Sequence, residues 1–369
     1  MNRFSGRVAG LDASRTTLMF FGLVVHASAL AASMQPVTSA PTDTASILLS
    51  ILGHNFRMPA FFMVSGIFSA YLLNTRSLAR FATQRRRRLL YPLLAACFTI
   101  LPLSYWSMVG FSVSFDQVLA LGPMHLWFIY YLIWFSAALL LVEWLLRKFD
   151  HSLVSAKVRP LGVWLVNPLS VLILAVAITL VPDWFTLTAN ALANNSSLFP
   201  PLGLVLYYVM FFKFGILLYR YWTSAEKWLR RFWPFFIALG LASFAVYANE
   251  LYGELRHDVL HLSYSITTWM LALGLIGMFL FFVRTERKFV RYLSDSSYWV
   301  YLVHYPIMVM LQKWFASLHT GLAVAFVLGV IVDAAISIGL YQWFVKDKFI
   351  ANFLAGKLAS QSEAKKRRK

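Results

Sequence analysis

The sequence predicts an all-α, polytopic integral membrane protein of about ten transmembrane helices with both termini in the cytoplasm, and three observations predict it. Hydrophobic residues make up 60% of the 369 and charged residues only 13%, outside the range of a water-soluble domain. Apolar stretches long enough to cross the roughly 30 Å hydrocarbon layer recur along the chain. Lysine and arginine fall almost entirely in alternate gaps between those stretches.

In order, the apolar stretches cover residues 16–34, 56–73, 89–109, 126–146, 164–182, 201–219, 232–251, 262–283, 298–316 and 321–345. The first has a basic flank, but Met34-Gln35-Pro36 offers no small-x-small cleavage site, so it is expected to remain as the first helix. The second is expected to open near Phe56, with Pro59 in its first turn, where a missing N–H had no partner. No repeat or low-complexity block stands out. Residues 1–345 therefore read as one membrane-embedded domain and 346–369 as a basic cytoplasmic tail.

All of the 33 Lys and Arg except Arg57, Lys213, Arg256 and Lys313 lie in the N-terminal segment, the even-numbered gaps or the tail. The odd gaps 35–55, 110–124, 184–200 and 317–320 contain none. The formal charge of +18 is thus a topology signal, and its scatter over short loops argues against a nucleic-acid surface. The end of the tail, Lys365 to Lys369, is expected to stay disordered beside anionic headgroups, each residue adding about 1 kcal/mol of attraction. Cys97, the single cysteine, lies inside the third stretch, which excludes an intramolecular disulfide and a thiolate metal cluster.

Ionisable groups inside apolar spans are functional candidates, because the bilayer makes them costly. Arg15 stands at the cytoplasmic edge of the first span and His26 lies eleven residues on, about 16 Å deeper and within about 20° of the same helical stripe. His26 is compatible with lining a channel or with bonding a neighbouring helix as a packed histidine. His54 and Arg57, three apart at the external start of the second span with Ser65-Gly66 below, suit a polar track or an interfacial anchor. Further candidates are Arg85, Arg86, Arg87 and Arg88, then His125 and Trp127 at the outer start of the fourth span, and His304 with Pro306 behind it in the ninth. Pro306 can kink that helix and free a backbone carbonyl, which suits a cofactor-facing bend or simple packing. Lys213 and Asp333, both in apolar helices, are expected to pair.

With these residues in view, the chain resembles the integral-membrane acyltransferase-3 family, marked by a basic residue and, after ten more, a histidine in the first span. Arg15 and His26 carry that spacing. The likeness extends to Phe56-Arg57-Met58-Pro59-Ala60-Phe61-Phe62-Met63-Val64-Ser65-Gly66, to Arg85–Arg88 before Leu89-Leu90-Tyr91-Pro92, to His125-Leu126-Trp127-Phe128 and to Tyr301-Leu302-Val303-His304-Tyr305-Pro306. It covers roughly residues 9–345, and within the family it is most similar to the branch that succinylates periplasmic glucans.

The resemblance implies O-acyl transfer from cytoplasmic acyl-CoA, succinyl-CoA or acetyl-CoA, to a hydroxyl of an extracytoplasmic carbohydrate, in a multi-pass protein of the bacterial inner membrane. It implies catalytic roles for His26, Arg15, His54 and Arg57, donor binding by Arg85, Arg86, Arg87, Arg88 and His304, and acceptor binding by His125 and Trp127. Direct transfer and relay through an acylated His26 both stay open. The expected partners are membrane lipid, the acyl-CoA and the carbohydrate, with a homodimer compatible and no nucleic acid or metal expected. The rival from another class is a secondary transporter, or an exporter of the acylated product, since buried His, Lys and Asp also serve proton-coupled transport.

Overall fold

The computed structural model describes residues 8–110, 114, 122–148, 162, 164–180, 201–253, 257–285 and 287–356. Arg3, Arg7, Lys157, Arg159, Arg256, the loop 184–200 and the end Lys365–Lys369 lie outside the described residues. Within them the protein is helical and no strand occurs. The helices are α1 (Ala9–Met34), α2 (Pro41–Thr75), α3 (Leu78–Arg85), α4 (Tyr91–Phe98), α5 (Ile100–Val109), α6 (Trp127–Lys148) and α7 (Pro168–Ala177). They continue as α8 (Leu202–Arg220), α9 (Trp222–Tyr252), α10 (His257–Phe282), α11 (Lys288–Ser317), α12 (Leu322–Leu340) and a short α13 (Phe349–Leu354).

Seven of these are long and apolar enough to cross a membrane, or eight if the bent pair Leu78–Phe98 and Ile100–Met108, which meet at 44°, forms one span. The sequence predicts ten. Of the other two expected spans, the fifth is described only as the ten-residue α7 and a short 3-10 turn, Ile178–Leu180. The ninth is the 30-residue α11, whose Ser294, Ser296, Ser297, His304 and Gln312 are buried. Those polar residues lower its apolarity while facing protein rather than lipid. Large apolar side chains such as Phe98, Trp134 and Trp343 stand exposed on the outside of the bundle, the surface that lipid would cover.

The second span begins well before Phe56. Pro41 occupies the first turn of α2, so His54, Arg57 and Pro59 lie inside a 35-residue helix and not at its external start. The serines and threonines of the first four turns hide this extension from an apolar scan, yet their hydroxyls are satisfied. Ser46 donates to the Thr42 carbonyl at 2.8 Å, Ser50 donates to the Val25 carbonyl of α1 at 3.3 Å, and Ser28 of α1 donates to the Ser46 carbonyl.

α2 is the centre of the bundle, with Phe61, Phe62, Met63 and Val64 buried. It meets α8 backbone to backbone: a Cβ on Gly66 would collide with the Phe212 carbonyl, and one on Gly215 with the Met63 carbonyl. Small residues permit this approach, which is how helices attract in lipid, where apolar burial supplies little drive.

Candidate functional site

α1 and α11 run parallel and in register. Arg15 donates to Ser294 Oγ at 3.2 Å, and eleven residues further along α1 the His26 ring faces His304 and Tyr305, both at 5.3 Å between centroids. Arg15 and His26 thus share the α11-facing stripe that their spacing predicts, about 16 Å apart along the axis.

His125 reaches the same place from the 3-10 turn before α6. Its ring stacks on Tyr305 at 4.8 Å and lies edge-on to His304 at 5.7 Å. Three imidazoles from residues far apart in sequence therefore converge on Tyr305.

Proline chemistry fixes two of these groups. Pro306 has no N–H, so the carbonyl of Leu302, four residues earlier in α11, lacks its helical donor. His125 Nε2 donates to that carbonyl at 3.1 Å, while Tyr301 Oη donates to the His125 carbonyl at 2.7 Å. Pro59 likewise leaves the carbonyl of Asn55 in α2 without its helical donor, and the Thr268 hydroxyl of α10, which bonds the Tyr264 carbonyl of its own helix at 2.9 Å, lies 3.3 Å from it. At Pro306 the lost intrahelical bond is replaced by one from a separate segment.

These bonds also set the tautomers. His304 Nδ1 lies 2.8 Å from the Tyr301 carbonyl and 3.1 Å from that of Val300. A carbonyl only accepts, so Nδ1 carries the proton and the basic lone pair is on Nε2, which is buried without a partner. By the same reasoning the His125 lone pair is on Nδ1, also buried and without a partner. Among the described residues His26 makes no hydrogen bond, and it is only partly buried. The cluster thus holds two buried acceptor nitrogens without partners and a third imidazole that is partly accessible.

Arg57 lies one turn from this cluster. Its guanidinium packs over Gly22, one turn before His26 on α1, where a Cβ would collide with Nη1. Arg57 is 9% exposed, its Nε has no partner, and no carboxylate pairs with it among the described residues. Burying a charged arginine without a counter-ion is costly, and such a guanidinium can bond an anion. His54, one turn back, donates through Nδ1 to the Ser50 carbonyl at 2.9 Å and is exposed.

The remaining candidates lie apart from the cluster. Arg15 pairs with Asp12 at 3.5 Å and lies over the Phe68 ring, tying α1 to α2. Arg85 turns inward, donating to Ser69 Oγ at 2.7 Å and lying 4.9 Å over Phe81, whereas Arg86 and Arg88 are exposed. The run Arg86–Leu90 is a π-helical turn, a distortion frequent at functional positions. Tyr298, six residues before His304, donates to the Arg88 carbonyl at 3.0 Å, so this cluster lies at the Arg15 end of α11. Trp127 packs into the aromatic core among Phe62, Tyr131 and Tyr208. The expected pair of Lys213 and Asp333 does not form. Lys213 is exposed, and Asp333, fully buried, accepts instead from Ser337 on its own helix at 2.9 Å. A hydroxyl one turn away meets part of that carboxyl's need.

Sequence reasoning missed Tyr305 as the hub of the rings and Gly22 as the seat of Arg57. The period of α1 could have pointed to Gly22, one turn before His26; Tyr305 needed the tertiary fold. Among the described residues no group of three His, Cys, Asp or Glu side chains is arranged to hold a metal ion. Chemically, the cluster offers bases for a hydroxyl or thiol proton beside a fixed positive charge.

Comparison with known proteins gives the chemistry a family. The acyltransferase-3 family model, described as an acyltransferase domain, matches residues 8–342. Proteins named glucans biosynthesis protein C from Escherichia coli strains K12 and SMS-3-5 and from E. coli O157:H7 are each 25% identical, over 94% of this chain and 94% of their own. No solved structure matches. With nine-tenths of its length matched by the family model, the chain belongs to the acyltransferase-3 family.

Proposed function

We propose that this protein is a multi-pass O-acyltransferase of the bacterial inner membrane that moves an acyl group, succinyl in preference to acetyl, from cytoplasmic acyl-CoA to a hydroxyl of a periplasmic glucan. The observation that carries the reading is the junction of His26, His304 and His125, two with unpartnered basic nitrogens, beside an arginine without a counter-ion. The relatives named for glucan biosynthesis support the acceptor.

In direct transfer, the sugar oxygen attacks the thioester carbonyl carbon as His26 takes the hydroxyl proton. The C–O bond forms, the C–S bond breaks, and the proton passes to the departing thiolate to give free coenzyme A. In relay, His26 attacks first and the C–S bond breaks, the thiolate taking the imidazole N–H proton to give free coenzyme A; the sugar oxygen then displaces the imidazole while His304 Nε2 takes the hydroxyl proton and returns it to His26. Arg57 stabilises the oxyanion or holds the succinyl carboxylate, and a dicarboxylic acyl group suits an arginine that lacks an internal acid. Arg86 and Arg88 face the solvent where coenzyme A phosphates would arrive. In this reading the end of the bundle holding Arg15 and Arg85–Arg88 is cytoplasmic, in accord with the bias of basic residues.

The test is free-thiol release from acetyl-CoA and succinyl-CoA by the purified protein in lipid, with and without a glucan, beside His26→Ala. Acceptor-stimulated release that disappears in the variant is the expected result. A wild-type protein that releases no thiol with either donor, yet moves a solute down a gradient, would turn the reading to transport.

A further inference from the structure

The third span is broken, and its second half lies against the ring cluster. Pro102 has no N–H for the carbonyl of Phe98, four residues earlier, and the helix breaks between them at Thr99, whose φ of −124° and ψ of −67° leave the helical range. The two halves meet at 44°. The second half, the ten-residue α5, is thereby turned onto α11, with Leu101, Ser104 and Tyr105 buried. We propose that Lys313 is a positioning residue: it latches α5 over Tyr305 and so keeps the histidine rings covered and aligned. Its part in catalysis rests on the acyltransferase reading above.

A single residue of α5, Met108, meets α11 through both its side chain and its backbone. Its Sδ accepts from Tyr305 Oη at 3.6 Å, and its carbonyl accepts from Lys313 Nζ at 2.7 Å. Tyr305 and Lys313 are about 12 Å apart along α11, so Met108 is held from two separate turns. The sulfur is a weak acceptor and fixes little by itself. The carbonyl is a strong one, and it belongs to the last turn of α5, where the final carbonyls have no helical donor. An ammonium there also meets the negative end of the helix dipole.

What these bonds hold is the hub of the site. The Tyr305 ring stacks on His125 and stands edge-on to His26, and the Met108 thioether is the one partner of its hydroxyl among the described residues. α5 also touches the turn that carries His125. Tyr105 Oη, one turn before Met108, donates at 3.4 Å to the carbonyl of Gly122, three residues before His125. A displaced α5 therefore uncovers Tyr305 and loosens the His125 turn together.

Charge singles out Lys313 among these contacts. It breaks the bias of basic residues, standing about 22 Å along α11 from Tyr298, which marks the end that bears the arginine run. No carboxylate pairs with it among the described residues, and its bond is to a backbone carbonyl. An exposed bond of this kind adds little to global stability, which leaves the place of α5 as what it determines.

The latch is read by the rate at which diethyl pyrocarbonate modifies His125 and His304, resolved by peptide mass spectrometry on the full chain in lipid nanodiscs. Each has a buried nitrogen without a partner, which reacts only as the cover opens. Lys313→Met, which keeps the reach of the side chain and removes its charge, is expected to speed both modifications about threefold or more, with Tm unchanged within about 2 °C. The rate at His257, exposed on α10, stays as it is in the wild type. Lys313→Arg restores a donor for the carbonyl and with it the wild-type rates. In acyl transfer, Lys313→Met lowers kcat about fivefold and leaves the donor KM unchanged, since Tyr305 and His125 lose their alignment while the arginine run does not. Equal rates at His125 and His304 in Lys313→Met and the wild type would overturn the latch, as would a rate in Lys313→Arg as fast as that in Lys313→Met. Faster modification accompanied by a lower Tm and a faster rate at His257 would also overturn it, by assigning Lys313 to the fold as a whole. A kcat equal to that of the wild type, with the rings more open, would remove Lys313 from the reaction. Modification rates that behave as expected in a protein that transfers no acyl group would keep the latch and sink the acyltransferase reading.

Discussion

His125 Nε2 donates to the carbonyl of Leu302 across 3.1 Å, and that carbonyl is available because Pro306, one turn on, has no N–H to offer it. The bond joins residues 177 positions apart and fixes both the ring and its tautomer. Pro306→Ala would return a helical donor to Leu302, and the N–H would compete with His125 for one carbonyl. The helix gains stability, since proline costs about 3 kcal/mol in a helix interior, while the His125 ring loses its anchor. The expected result is an unchanged or higher Tm with kcat lowered about tenfold, read by thermal unfolding in detergent and by thiol release. A kcat equal to that of the wild type would show that the bond holds nothing the reaction needs.

Much of this was legible in the sequence, and the limits have physical causes. The apolar stretches and the alternation of basic residues mark the helices, and the eleven-residue step from Arg15 to His26 places both on the face that α11 covers. The start of α2 was not legible, because Ser46 and Ser50 look polar to a hydropathy scan while their hydroxyls bond backbone carbonyls. That error put Arg57 at the surface, when it sits 16 residues into the helix and against Gly22. Pro306 signals a free carbonyl in the sequence, but only packing shows that His125 takes it. The expected Lys213–Asp333 pair failed for the same reason, since the facing of two distant helices is not written in either one.

His26→Ala is expected to lower kcat by about 10²–10⁴, the usual contribution of a positioned base, with membrane abundance unchanged because the partly buried ring makes no hydrogen bond among the described residues. His304→Gln separates the two transfer routes. If the acyl group passes through His26, the variant accumulates acylated enzyme that intact-mass spectrometry detects after brief exposure to donor. Direct transfer leaves no such species.

Arg57 distinguishes donors. If it holds the carboxylate of the acyl group, Arg57→Met raises KM for succinyl-CoA by tenfold or more, about the worth of a charge-assisted hydrogen bond, and leaves that for acetyl-CoA nearly unchanged. If it serves the oxyanion instead, kcat falls alike with both donors. The variant also removes an unpaired buried charge, so its thermal stability should not fall.

Gly66→Ala tests the packing that carries the site. Its methyl would meet the Phe212 carbonyl, which is backbone and cannot rotate away, so α2 and α8 must part. Overpacking of this kind costs about 1–3 kcal/mol, a fall in Tm of roughly 2–8 °C for a chain of this size. Gly339→Ala, where no atom lies near the added carbon, is the matched control and should leave Tm in place.

The arginine run divides into a structural and a solvent-facing part, and the division predicts opposite phenotypes. Arg85 is committed to Ser69 and the Phe81 ring, so Arg85→Ala leaves the Ser69 hydroxyl and the aromatic face without their cation and should lower abundance and Tm first. Arg86 and Arg88 are exposed on the π-helical turn, where a highly charged donor can reach both. Changing these two to alanine should raise the donor KM about tenfold, and raising the salt concentration should shrink the difference between variant and wild type, because exposed charge pairs are screened within about 8–10 Å. A donor KM that stays fixed while insertion of the chain is disturbed would instead assign the pair to setting topology. Since Arg85 and Arg88 lie within one turn of each other, the measurements are made on the separate variants before the combined one, so that loss of fold is never read as loss of donor binding.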